Sequence, residues 1–82
     1  MTRPVDIEIK ILPEYFQDVW DKKKNFELRK NDRDYQVGKT VCMREWDGNQ
    51  YTGSFLVRQI TYVLKDCPQY GLMDGYCIFG WE

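Results

Sequence analysis

The 82-residue sequence contains no histidine. That removes the usual general base near neutral pH and the base of any Ser–His–Asp arrangement. It has only three cysteines, Cys42, Cys67 and Cys77. The count is odd and no C-x-x-C occurs, so neither a disulfide framework nor a zinc site is indicated. Small buried thiols in a reducing compartment fit these spacings best. No apolar run approaches the ~20 residues needed to span a bilayer, and Met1-Thr2-Arg3-Pro4 passes at once into a strand-like pattern with no signal peptide. The expectation is a soluble cytoplasmic protein without a membrane partner. There is no Gly-rich phosphate loop and no acidic metal cluster, so no metal and no cofactor are expected. Repeats, linkers and low-complexity segments are also missing. Residues 1–82 read as a single domain with one modest core, because a chain this small buries only roughly 60% of its unfolded surface.

What the chain does have is apolar material and a lopsided charge distribution. Hydrophobic residues make up 43% and aromatics 16%, which argues against disorder. The net charge of −1 gives no general attraction for nucleic acid. Yet the run KKKNFELRKNDR, from Lys22 to Arg33, holds six of the twelve bases and only Glu27 and Asp32 of the thirteen acids. Positive charge concentrated in this way creates a local field that attracts an anion such as a phosphate.

Val5, Ile7, Ile9 and Ile11 alternate with Asp6, Glu8 and Lys10, the pattern of a strand with one buried face. Pro13 opens a helix running to about Lys23. Tyr15, Phe16, Val19 and Trp20 form its apolar stripe. Glu14 and the three lysines Lys22, Lys23 and Lys24 sit at the dipole ends that suit them. Asn25 to Lys30 is a second strand, with Phe26 and Leu28 on one face, read as the anchor in the core. Glu27 and Arg29 share the other. A strand from Thr40 to Trp46, a hairpin turn at Asp47-Gly48-Asn49, a long strand from Tyr51 to Leu64 with a bulge at Gly53, and a final strand from Gly75 to Trp81 complete the order. The connection from Lys65 to Asp74 has room for a short helical turn. The class is α+β, mainly β, with about five strands and one main helix after the first strand. A small curved sheet or closed barrel would hide its edges, and an open sheet with the helix on one face also fits.

Lys24, Glu27 and Arg29 are the first candidate constellation. The carboxylate accepts N–H donors, and the guanidinium forks onto phosphate or carbonyl oxygens. The plain alternative is a solvated strand face with a surface ion pair worth at most ~1 kcal/mol. Lys23 and Lys24 exceed what dipole compensation needs, which leaves at least one lysine for a phosphate, and Lys10 on the first strand could extend the patch. Asn31 and Arg33 continue it along the rim. Among the aromatics, Trp46 and Tyr70 sit at element ends beside turns, where an exposed ring can stack on a base. Ser54, the threonines and the cysteines have no base at a motif spacing. Lys24 with Glu27 is the one pair able to do acid–base work, if burial or nearby cations lower the lysine pKa.

Around Lys24-x-x-Glu27-x-Arg29 the chain resembles a known group. The strand, the helix, K-x-x-E-x-R at Lys24, Glu27 and Arg29, and the V-G-K turn at Val37 to Lys39 are similar to ASCH domains of the PUA-like superfamily. A small phage and bacterial family of unknown function within that group matches more of the chain. The shared segments are IKILPEYF, K-x-F-E-x-RKNDR, Y-x-VG-x-T, REWD, YTG, ITY and YGL-x-x-GY, covering about residues 6 to 80. The resemblance implies a small PUA-like β-barrel. Its cleft would be bordered by the helix and the strand after it, and lined by Lys24, Glu27 and Arg29. RNA binding, modified-base recognition and coactivator roles are associated with such domains. Some similar proteins are amidohydrolases acting on acylated cytidine, with a threonine three residues after the lysine. Glu27 stands at that threonine position here, which tells against the hydrolase reaction.

The resulting expectation is a module that binds RNA or a nucleotide-like small molecule. Lys23, Lys24, Arg29 and Arg33 would face phosphate or carbonyl oxygens, Glu27 a base N–H, Asn31 the rim, and Trp46 and Tyr70 the base. Two alternatives stay open. One is a nucleoside-processing enzyme of the amidohydrolase kind. The other is a phage-encoded protein–protein adaptor.

Overall fold

A computed structural model describes residues 5–82; Met1 to Pro4, on which the signal-peptide reading rests, lie outside them. Alternating isoleucines produce β1 (Ile7–Ile11), whose Ile7, Ile9 and Ile11 are buried while Glu8 and Lys10 face outward. Pro13 starts α1 (Pro13–Trp20), with Glu14 in the first turn. Only Phe16 and Val19 of the expected stripe are buried, and Tyr15 and Trp20 are exposed. The helix also ends three residues earlier than its pattern suggests. Lys22 turns left-handed at φ 61°, and the Lys23 and Lys24 N–H groups both donate to the Asp18 carbonyl. That closure satisfies a free helix-end acceptor and redirects the chain into β2.

The remaining strands are β2 (Phe26–Lys30), β3 (Thr40–Trp46), β4 (Tyr51–Gln59), β5 (Tyr62–Lys65) and β6 (Tyr76–Gly80), with a short 3-10 turn at Pro68–Tyr70. Asp47 Oδ1 accepts from the Asn49 and Gln50 N–H groups and fixes the β3–β4 hairpin. Gly53, at φ 99°, lies where the β3–β4 register shifts between Arg44 and Trp46, as a bulge requires.

Six strands replace the expected five because the long strand breaks at Ile60. The Ile60 N–H donates to the Lys39 carbonyl, its own carbonyl accepts from Gly38, and the Thr61 N–H then donates to Gly80. The chain thus leaves one sheet and joins the other. The closed barrel is also corrected. The strands form two three-stranded sheets, β1-β3-β4 and β2-β6-β5, with β1 parallel to β3 and the other pairs antiparallel. Where a barrel would continue its ladder, side chains of the β2 segment reach the free edge of β1. Arg29 Nη2 donates to the Lys10 carbonyl, and Arg33 Nη1 donates to the Glu8 carbonyl at 3.3 Å.

Between the sheets lie Val41, Met43, Ile60, Cys77 and Phe79, all essentially inaccessible. Tyr35 stacks on Phe79 at 4.5 Å between ring centroids. Burial pushes the Tyr35 phenol and the Cys77 thiol above their ordinary pKa values, because the charged forms would lose hydration. Cys42, Cys67 and Cys77 are free thiols. Among the described residues, no helix is long and apolar enough to cross a membrane.

One strand reverses its expected orientation. In β2 it is Glu27 that is buried, at 5% exposure, whereas Phe26 and Leu28 are 48% and 55% exposed. Parity along the strand was correct and its sign was not. Leu28→Ser should therefore shift stability by less than about 1 kcal/mol, as at a surface position. A loss of about 2–5 kcal/mol in a denaturant titration would instead put Leu28 in the core.

Candidate functional site

The free edges of β1 and β2 frame a cleft of about 580 Å³. Lys10, Ile11 and Leu12 line one side, Tyr15 of α1 the top, and Phe26 to Lys30 the other side, with Lys24 and Tyr76 completing the wall. Position follows from local structure. The helix-end turn brings Lys24 back beside Tyr15, with Nζ 4.8 Å from the ring centroid and 5.7 Å from that of Phe26. Strand alternation then puts Glu27 and Arg29 on one face.

Glu27 is the organising group. Its Oε1 accepts from Lys24 Nζ at 2.5 Å and its Oε2 from Arg29 Nε at 3.4 Å. It is the one charged side chain fully buried among the described residues. A buried carboxylate needs such partners, since an unpaired charge out of water is very costly. Each carboxylate oxygen has a second lone pair, Lys24 has further N–H donors, and Arg29 Nη1 has no partner within the described protein. The cleft thus keeps both acceptor and donor capacity. Four cations, Lys10, Lys24, Arg29 and Lys30, surround it against the single carboxylate.

A second hollow of about 300 Å³ adjoins the first across Lys10 and Arg29, and adds Glu8, Asp32, Arg33, Tyr35 and Tyr51. Lys10 links the two: its Nζ lies 4.1 Å from the Trp46 ring centroid. Arg44 stacks on Tyr51 at 3.5 Å and pairs with Glu8 at 2.9 Å.

Of the residues singled out from sequence, Lys24, Glu27 and Arg29 converge on the cleft and Arg33 lines the adjoining hollow. Asn31 serves its own turn, where Oδ1 accepts from the Tyr35 N–H at 3.3 Å. Lys23 is exposed and lines neither hollow. Trp46 lines neither hollow; it packs edge-on against Tyr51 at 5.0 Å and lies under Lys10. Tyr70 is 86% exposed on the 3-10 turn and lines neither hollow. The sequence reading missed Tyr15, Phe26, Lys30 and Tyr76 as lining residues. Tyr15 carried no sequence signal, since it meets Lys24 only because the chain turns back after Trp20. Among the described residues, no group of three Cys, Asp or Glu side chains is placed to hold a metal ion.

Residues 7–81 match the model of a family described as a domain of unknown function, DUF3850. The chain is also 39% identical over 56 residues to an uncharacterized 12.9 kDa protein in the GpA 3′ region of Escherichia phage P2. That match covers 68% of this chain and 51% of the phage protein, so the chain spans about half the length of this relative.

Proposed function

The chain belongs to the DUF3850 family, and we propose that it binds RNA or a nucleotide-like ligand in the cleft between β1 and β2, as a PUA-like module would. The observation that carries this reading is the buried Glu27 held between Lys24 and Arg29 on the wall of a 580 Å³ cleft. A cleft of this size suits a small planar ligand. Tyr15, Phe26 and Tyr76 offer apolar and aromatic surface for a base. The second acceptor positions of Glu27 suit an exocyclic or ring N–H, and the surrounding cations suit a phosphate. The resemblance of K-x-x-E-x-R to ASCH motifs points the same way.

Binding of a short RNA panel and of free nucleosides and nucleotides, measured across a salt series, tests it. Saturable binding is expected, lost in the Glu27→Ala/Arg29→Ala double variant, with affinity falling as salt rises because phosphate contacts release counterions. No saturable binding by the wild type, or none lost in the double variant, removes the site assignment. A second reading is a nucleoside-processing enzyme of the amidohydrolase kind, in which Lys24 and Glu27, in contact at 2.5 Å, act on the substrate as acid–base partners. Incubation with acylated nucleosides decides it: product formation abolished by Lys24→Ala supports this reading, and no product rejects it.

A further inference from the structure

We propose that the hollow beside the cleft is a second phosphate subsite, so that the preferred ligand is a strand of two or more nucleotides rather than a single nucleotide. This inference rests on the reading of the cleft as a nucleotide site and extends it. The hollow, about 300 Å³, shares Lys10 and Arg29 with the cleft. A ligand anchored beside Glu27 can pass from one space into the other between those two cations.

Tyr35 is the observation that points to a ligand. It is only 1% exposed, yet it lines the hollow. Among the described residues its backbone N–H has a partner in Asn31, but its hydroxyl has none. A buried tyrosine hydroxyl ordinarily finds a partner. Among the described residues no side-chain oxygen or nitrogen sealed from solvent is left without one, so this hydroxyl keeps an opening, and the space beside it is the hollow. The stack on Phe79 at 4.5 Å holds the ring in place. Burial keeps the phenol protonated, so it stays a hydrogen-bond donor.

The cations around that hydroxyl are not used up by the protein. Lys10 has no carboxylate partner among the described residues, and its Nζ lies over the Trp46 ring. Arg33 has none either; Nη1 donates to the Glu8 carbonyl, which leaves Nε and Nη2 for a ligand. Two carboxylates also line the hollow. Glu8 is paired with Arg44 at 2.9 Å, and Asp32 is exposed. Lys10 and Arg33 therefore outnumber Asp32, and ammonium, guanidinium and hydroxyl donors together suit phosphate oxygens. Asp32 selects the kind of phosphate. A terminal phosphate carries a charge of about −1.5 to −2 and is repelled more than the singly charged diester within a strand. The Tyr51 ring on the same wall offers a surface to the next nucleoside.

The test is isothermal titration of the full chain with three sets of probes, each made with all four common bases. They are ribonucleoside 5′-monophosphates, ribonucleoside 3′,5′-bisphosphates and 5′-phosphorylated homodinucleotides. For the base bound best, the dinucleotide should bind at least about tenfold more tightly than the monophosphate, the worth of one charge-assisted hydrogen bond. Tyr35→Phe keeps the ring stack and removes only the hydroxyl. It and Arg33→Ala should each reduce that ratio at least about threefold. Equal binding of monophosphate and dinucleotide overturns the second subsite and leaves the cleft reading standing. A ratio that neither variant changes overturns it as well. An advantage confined to the bisphosphate overturns the strand, because a terminal phosphate then occupies the hollow. Absence of binding by every probe removes the cleft reading, and this inference with it.

Discussion

Glu27→Gln is expected to weaken nucleotide binding by about tenfold to a hundredfold while the fold survives, because a hydrogen bond to a charged acceptor contributes about 1.5–3 kcal/mol. The substitution keeps the shape and removes the charge. It also makes the cleft more positive, since Lys10, Lys24, Arg29 and Lys30 would face no carboxylate. The two contributions therefore have opposite signs. If attraction between cations and phosphate governs binding, affinity rises. If the carboxylate reads a base N–H, affinity falls. Isothermal titration of wild type and Glu27→Gln with one nucleotide, at low and high salt, separates these, and tighter binding by the variant would eliminate Glu27 as a base-reading group. The cost to stability should be roughly 1 kcal/mol, below that of breaking a fully buried pair. Lys24 and Arg29 retain 19% and 29% side-chain exposure, so water can partly resolvate them.

Phe79→Ala should unfold at a much lower urea concentration than the wild type. Phe79 is fully buried on β6, opposite Glu27 and Val63, with its ring stacked on Tyr35 and tilted against Trp81 at 6.0 Å. Truncating a buried phenylalanine costs about 3–5 kcal/mol, the lost stack on Tyr35 included. At roughly 0.05–0.15 kcal/mol per residue, a chain of this length has a total stability of about 4–12 kcal/mol. Urea unfolding followed by tryptophan fluorescence would measure the change. Phe79→Leu, which keeps most of the volume, should remain folded with a lowered midpoint. A loss below about 1 kcal/mol in Phe79→Ala would mean that Tyr35 and Phe79 do not form the centre of the core.

Much of the fold was legible because it depends on neighbours in sequence. The isoleucines at 7, 9 and 11, Pro13 at the helix start, the Asp47-Gly48-Asn49 turn and the Gly53 bulge each act through local conformation, and the structure has them as expected. The trio at 24, 27 and 29 was legible for the same reason, since a helix-end turn and strand alternation bring those side chains together. Where the Trp46 and Tyr70 rings lie, outside both hollows, was not legible. An aromatic at an element end is equally available to a cleft, a neighbouring ring or solvent, and only packing partners far along the chain decide which.

Alternation along β2 by itself determined that Glu27 and Arg29 share a face opposite Phe26 and Leu28. Tertiary structure alone decided which face turns inward. Hydrophobicity favoured burying Phe26 and Leu28. The side-chain bridges from Arg29 and Arg33 to the β1 edge instead fix the strand with its carboxylate inside, compensated by Lys24 and Arg29. Residues in sequence set a strand's period, but its sense is set by what the other strands bring to either side.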